Sequence, residues 1–308
     1  MVSKMGFAHN PVSVQAVGWA EDQGRRAEME DGFVFVDQFG GRERSAFFAV
    51  YDGHGGRQVV DFVTRELHEN LLRELRKTDS PADALLQAFR LTDEDMLRRS
   101  ITSSGCTACC CLLQEEMQGR VIYTAHLGDS RAVLARSGTA TRMTSMTDHK
   151  ATDLLEAKRV IEAGGHIIND RVNGMLAMTR ALGDHVLKMP MLPNDVVSNV
   201  PDITSTDLTK QDSFIILACD GIWDVMNDQQ AVQLVVECMK ELTPVARQLE
   251  SEGRSLAEIL ARMLVHDQVG TWQLLKIKTG KWTRTVMSVG CVKFGGEDAH
   301  LRAKTPDS

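Results

Sequence analysis

The run Ala46-Phe47-Phe48-Ala49-Val50-Tyr51 is short, apolar, and partly aromatic and β-branched, and it stops at Asp52-Gly53-His54-Gly55-Gly56. That composition and the glycine stop favour a buried strand over a helix. Beyond the turn, Val60, Val63, Leu67, Leu71 and Leu75 recur at helical spacing and predict an amphipathic helix over Gln58 to Leu75. A strand, turn and helix of this kind would hold Asp52 and His54 at the end of a rigid element, where the glycines allow another group to come close. Taken alone, the turn also fits a plain Asp-Gly turn with a solvated histidine. The pattern recurs, however: Phe214 to Cys219 ends in Asp220-Gly221, Val121 to Leu127 ends in Gly128-Asp129-Ser130-Arg131, and Glu30-Asp31 directly precedes Phe33 to Val36. If these strand ends meet, they form a carboxylate cluster. Such a cluster calls for a hard divalent metal, because closely spaced carboxylates repel unless protonated or bridged.

The remaining features bound the class. At 308 residues, with 43% hydrophobic and 25% charged residues, the chain suits a sizeable globular core. A formal net charge of -7 argues against a nucleic-acid partner, since phosphate backbones select basic surfaces. No apolar run approaches the roughly 20 residues of a membrane helix, and Met1-Val2-Ser3-Lys4 lacks a signal-peptide core. A cytoplasmic or nuclear, monomeric protein without membrane contact is expected. The seven cysteines form no disulfide framework. Cys106 and Cys109 have C-x-x-C spacing, but on a strand they point to opposite faces and are expected to be small buried hydrophobes.

Further helices are expected over Pro81 to Met96, Asp153 to Ala163, Asp228 to Met239 and Ser255 to Val265. The Pro- and Asn-rich span from His185 to Asp202 lacks a period and reads as an exposed flap. The domain plan is an N-terminal arm over 1–16, one domain over 17–294 and a tail over 295–308.

The stretches Glu28-Met29-Glu30-Asp31, Val50-Tyr51-Asp52-Gly53-His54-Gly55-Gly56, Ser104-Gly105-Cys106-Thr107-Ala108, Gly128-Asp129-Ser130-Arg131, Asp148-His149-Lys150, Arg180-Ala181-Leu182-Gly183-Asp184 and Cys219-Asp220-Gly221-Ile222-Trp223-Asp224 occur in this order. Together they resemble the metal-dependent protein serine/threonine phosphatases of type 2C, over about Val17 to Leu264. The resemblance implies an α+β fold, a four-layer αββα sandwich of two packed antiparallel sheets flanked by helices. It implies two Mn2+ or Mg2+ ions, with Asp52 bridging them, Glu30 and the Gly53 carbonyl serving one ion, Asp220 the other, and Asp31 acting through bound water. Asp129 would help hold a weaker third ion. Phosphorylated proteins would be the partners, Arg26 would bind the phosphate, a metal-bridged water would attack, and His54 would be the general acid.

The chain departs from that family near its end. The family's final strand follows an Asp-Asn step that completes the second metal site, and here Asp267, Glu297, Asp298 and Asp307 are not followed by Asn. Residues 270–284 are locally basic and unlike the family, while Val286 to Phe294 could still form the terminal strand. The alternative reading is therefore a pseudophosphatase or defective isoform that binds phosphoproteins without efficient turnover.

Overall fold

The structure is a computed structural model that describes residues 3–8, 11–23, 26–242, 257–262, 264 and 287–293. Two antiparallel sheets carry it. One has the order β14 (Asp202–Asp207), β8 (Gly119–Leu127), β7 (Ala108–Glu116), β4 (Ala46–Tyr51) and β3 (Gly32–Asp37). The other has the order β1 (Ser3–Phe7), β2 (Ala16–Asp22), β16 (Met287–Lys293), β15 (Asp212–Ala218), β9 (Arg131–Arg136) and β10 (Thr139–Arg142). Residues 3–7 of the expected arm thus form an edge strand, and the expected terminal strand is β16, between β2 and β15. The tail 295–308 lies outside the described residues.

Side-chain alternation along the strands builds the layers. In β4, Phe47, Ala49 and Tyr51 face α1 (Gln58–Glu74) and α2 (Pro81–Arg98), where Val60, Val63, Leu67, Leu71, Leu85 and Phe89 meet them. Ala46, Phe48 and Val50 point the other way and pack on Ala132 and Leu134 of β9 and Ile215 and Leu217 of β15. The outer face of that second sheet, with Val133, Phe214 and Ile216, is covered by α5 (Asp228–Leu242) and by Leu260, Ala261 and Leu264. Each such fully buried Leu, Ile, Val or Phe contributes about 1.5–3 kcal/mol. The result is the helix, sheet, sheet, helix order that the family resemblance implies.

The same alternation separates the cysteines. Cys106 and Cys110 lie in the core under α1 and α2, whereas Cys109 and Cys111 lie between the sheets, and all are free thiols. Burial pushes the thiols of Cys106, Cys109 and Cys110 well above their ordinary range, so they pack as hydrophobes.

Two smaller units sit at the edge: a three-stranded sheet of β13 (Leu182–Gly183), β6 (Gly105–Cys106) and β5 (Gly53–His54), and a hairpin of β11 (Ile167–Ile168) and β12 (Arg171–Val172). The exposed-flap expectation for 185–202 needs correction. Leu187, Val196 and Val197 are buried in an apolar cluster with Val160 and Val172, Lys188 is buried, and exposure is concentrated at the tip around Met189 and Met191. A few anchoring side chains hold an irregular segment down, which leaves no period for sequence to reveal. Among the described residues, no helix is long and apolar enough to cross a membrane.

Asp153 caps α3 (Leu154–Glu162), its carboxylate accepting from the backbone N–H of Leu155 and Glu156. Glu156 is buried and accepts from Thr179 Oγ1 at 2.7 Å, Arg180 Nη2 at 2.5 Å and Arg159 Nε at 3.2 Å. Burial alone would raise its carboxyl, but the bonds from Arg180 and Thr179 and the charges of Arg180 and Arg159 hold it down to about 2. A lowered carboxylate stabilises the fold above its unfolded pKa, and that stability is lost as pH falls from 4.5 towards about 2. Glu156→Gln is expected to cost about 2–4 kcal/mol at neutral pH and to flatten the acid limb of urea-unfolding stability.

Candidate metal centre

The two sheets deliver their acids to one edge. Asp52 follows β4, Asp129 occupies the turn between β8 and β9, Asp220 opens the short helix α4 (Asp220–Trp223) after β15, and Asp31 directly precedes β3. The turn expected at Asp220 is the first turn of that helix. Asp31 and Asp129 are buried, whereas Asp52 and Asp220 are partly open to solvent. Burial, reinforced by the charges of Asp31, Asp220 and Asp129, pushes Asp52 well above the usual carboxylate range. Burial, with the charges of Asp129 and Asp224, pushes Asp220 up to about 6, and the Asp52 and Asp220 carboxyls are hydrogen-bonded to each other. Burial likewise raises Asp129, against the pull of Lys150.

The loop carrying Glu30 and Asp31 is clamped onto the glycine turn. Arg57 Nη1 donates to the carbonyls of Met29 at 2.6 Å and Asp31 at 2.9 Å, and the Gly56 N–H donates to Glu30 Oε1 at 2.6 Å. The approach is so close that a Cβ at Gly53 would lie 2.4 Å from the Glu30 carbonyl oxygen. Thr107 ties in the remaining strand end: its N–H donates to the Asp52 carbonyl at 2.9 Å and its hydroxyl lies 2.8 Å from that of Ser130.

Sequence alone therefore picked out four acids that do converge: Asp31, Asp52, Asp129 and Asp220. Asp31, Asp52 and Cys219 offer donor atoms within 4.8 Å of one another, although burial keeps the Cys219 thiol protonated. Oxygen donors whose charges oppose one another fit a hard divalent cation. Glu30 is held beside them by Gly56, and Arg26 is solvent-exposed on the preceding loop.

His54 reaches a partner that sequence did not assign. Its Nε2 lies 2.9 Å and 2.8 Å from the two carboxylate oxygens of Asp184. Lys150 is the other unassigned neighbour, with Nζ 3.1 Å from Asp129 Oδ2 and 3.8 Å from Asp224 Oδ1. Both residues stand in motifs visible in the sequence, but pairings over such separations leave no local signal.

A second cluster, His126, His149 and Asp202, also brings ligand atoms within 4.8 Å. The two rings are stacked 4.6 Å apart at 14°, so their in-plane lone pairs do not converge on one ion. His149 is already engaged at both nitrogens, by the Gly128 N–H at 3.1 Å and by Asp202 at 3.1 Å. Burial, with the His149 charge, pushes His126 down to about 3. This cluster is structural packing.

A four-layer αββα sandwich with acids converging at one sheet edge defines the class, and the chain belongs to the protein phosphatase 2C family, whose family model, "Protein phosphatase 2C", matches residues 15–257. Protein phosphatase 2C homolog 1 of Saccharomyces cerevisiae is 40% identical over 238 residues, covering 71% of this chain and 81% of that protein. The human integrin-linked kinase-associated serine/threonine phosphatase 2C is 33% identical over 262 residues, 78% of this chain and 64% of that protein. Among solved structures, a Caenorhabditis elegans sex determining protein superposes with TM-score 0.71 at 29% identity, over 91% of this chain and 65% of that one. The serine-threonine phosphatase 2C of Toxoplasma gondii shares the fold, with TM-score 0.68 at 23% identity over 96% of this chain and 100% of that one.

Proposed function

We propose that this chain hydrolyses phosphoserine and phosphothreonine esters in proteins, using Mn2+ or Mg2+. The observation that carries the reading is the convergence of Asp31, Asp52, Asp129 and Asp220, of which Asp52, Asp129 and Asp220 are raised by burial and by neighbouring carboxylates and so suit bound cations. Asp52 would serve both ions, Glu30 and the Gly53 carbonyl one, Asp220 the other, Asp31 would act through water, and Asp129 would serve a weaker third. When bound, the ions supply charge neutralisation for the phosphoryl oxygens and lower the pKa of the attacking water. Arg26, exposed on its loop, is the residue assigned to grip the phosphate by its planar fork. His54, with 26% of its side chain exposed, gives a proton to the departing seryl or threonyl oxygen.

One observation favours a second reading, a protein that binds phosphoproteins with weak turnover. The resemblance expects an Asp-Asn step before the terminal strand, yet the chain directly before β16 reads Arg284-Thr285-Val286, without a carboxylate. Phosphate release from a phosphothreonine peptide, with and without Mn2+, separates the two. Robust release abolished by chelator is expected; none from folded protein would leave the binding role.

Gly105 provides an independent check on the acid. A Cβ there would sit 2.1 Å from Asp184 Oδ2 and 2.6 Å from His54 Nε2. Gly105→Ala is expected to force the pair apart and lower peptide turnover by about tenfold or more, within the range of losing an acid catalyst. Unchanged turnover would remove His54 from the mechanism.

A further inference from the structure

His54 and Asp184 meet because the three-stranded sheet places them on either side of a residue with no side chain. His54 and Gly183 both pair with Gly105 of the central strand β6, so the imidazole and the carboxylate close over bare backbone. Asp184 itself sits in the left-handed region, at φ 51° and ψ 36°, a conformation that costs a non-glycine residue energy and needs external support.

That support is a buried polar network. Asp93 on α2 accepts from the Gly183 N–H at 2.8 Å, from Lys188 Nζ at 3.0 Å on each oxygen and from Asn199 Nδ2 at 2.9 Å. Lys188 Nζ also donates to the Ala181 carbonyl at 2.8 Å, and the Asp184 N–H donates to the Ser104 carbonyl at 2.9 Å. Gly183 and Lys188 are thus pinned to α2, and the Asp184 backbone to Ser104 just before β6.

We propose that Asp184 is the positioning residue of His54, and that Asp93 with Lys188 holds it in place. An ionised carboxylate only accepts hydrogen bonds, so His54 Nε2 carries a proton and donates it to Asp184. Nδ1 is then the nitrogen that acts. This rests on the reading of His54 as general acid. In that step a water oxygen bonds to phosphorus, the bond from phosphorus to the seryl or threonyl oxygen breaks, and its electron pair stays on that oxygen. The oxygen takes the Nδ1 proton of the imidazolium. Water loses a proton to solvent, His54 is left neutral with its proton on Nε2, and solvent recharges Nδ1. Asp184 holds Nε2 in its hydrogen bond and so prevents the ring from turning Nε2 towards the substrate.

Two measurements test this. The first compares Asp184→Asn and His54→Gln on a phosphothreonine peptide, whose alkoxide needs a proton, and on p-nitrophenyl phosphate, whose leaving group does not. Asp184→Asn is expected to lose at least about tenfold on the peptide and less than about threefold on the aryl ester, against about 10²–10⁴-fold peptide loss in His54→Gln. The double variant should be no slower than His54→Gln alone. Equal loss on both substrates in Asp184→Asn, while His54→Gln discriminates between them, would overturn the positioning role alone. Equal loss in both variants would overturn the general-acid reading too.

The second measurement needs no turnover. Ring 15N shifts of His54 in the wild-type protein, above the imidazole titration, should report the Nε2–H tautomer, and Asp184→Asn should shift the population towards Nδ1–H. A wild-type Nδ1–H tautomer, or a population indifferent to Asp184→Asn, would refute the proposal even in a chain with no phosphatase activity.

Discussion

Replacing Asp52 by Asn is expected to abolish Mn2+-dependent phosphate release while making the metal-free protein more stable. The two effects have one cause. Asp52 is pushed well above its ordinary range by burial and by the charges of Asp31, Asp220 and Asp129, so its ionised form strains the metal-free fold. Asparagine keeps the shape and removes the charge. With chelator, the midpoint of thermal unfolding should rise by about 2–4 °C, equivalent to about 1 kcal/mol for a domain of this size. With Mn2+ the order reverses, because the wild type gains stability from binding and the variant loses its share of that gain. Turnover should fall by more than the about 10–100-fold typical of losing a residue that merely supports a ligand. Calorimetry with and without metal, beside phosphate release, reads all three. A variant that binds Mn2+ and turns over like the wild type would dismiss the cluster as a metal centre.

Protons should substitute for the missing cations in the same window. Asp220 is raised from 3.8 to about 6, so the folded protein holds a proton that the unfolded chain has released. A raised carboxyl contributes stability that is full below the unfolded value and is lost as pH rises through the folded one. In chelator, this contribution therefore fades between about pH 4 and pH 6, and added Mn2+ should rescue stability most at the upper end.

Asp93→Ala is expected to destabilise the protein by about 3–5 kcal/mol, the usual cost of leaving one partner of a buried ion pair uncompensated. Lys188 is 1% exposed and Asp93 4%, so neither can turn to water without opening the core. Removing Asp93 also deprives the Gly183 N–H and Asn199 Nδ2 of their acceptor, which adds to the charge left on Lys188. The companion variant Asp93→Leu with Lys188→Met should recover a large part of the loss, since an apolar pair of similar volume often replaces a buried ion pair at little cost. Urea midpoints measure both. A loss under about 1 kcal/mol for Asp93→Ala would mean that water already reaches the Lys188 ammonium.

The legible parts of the fold were those encoded by short runs and repeats of hydrophobicity. Strand β4 was legible as a short apolar run stopped by glycines, and once it is a strand, Phe47, Ala49 and Tyr51 fall on one side and Ala46, Phe48 and Val50 on the other. Val60, Val63, Leu67 and Leu71 are set by a helical stripe. The acids Asp52, Asp129 and Asp220 were legible for the same reason, since Asp52 and Asp220 directly follow such a run and Asp129 follows one after Gly128. The segment 185–202 was not, because its burial comes from isolated anchors, Leu187, Lys188, Val196 and Val197, with no period between them.

Sequence by itself determined the central apolar strands, the long amphipathic helices, and which acids stand at strand ends. Each is a property of neighbours along the chain. Only the tertiary structure decided which strand ends meet and which side chains then pair. His54 and Asp184 are 130 positions apart, Lys188 and Asp93 are 95, and each contact depends on backbone elements brought together by the packing of the whole sandwich. The absence of a side chain at Gly105 is written in the sequence; that it leaves a slot for an imidazole and a carboxylate exists only once β5, β6 and β13 lie side by side.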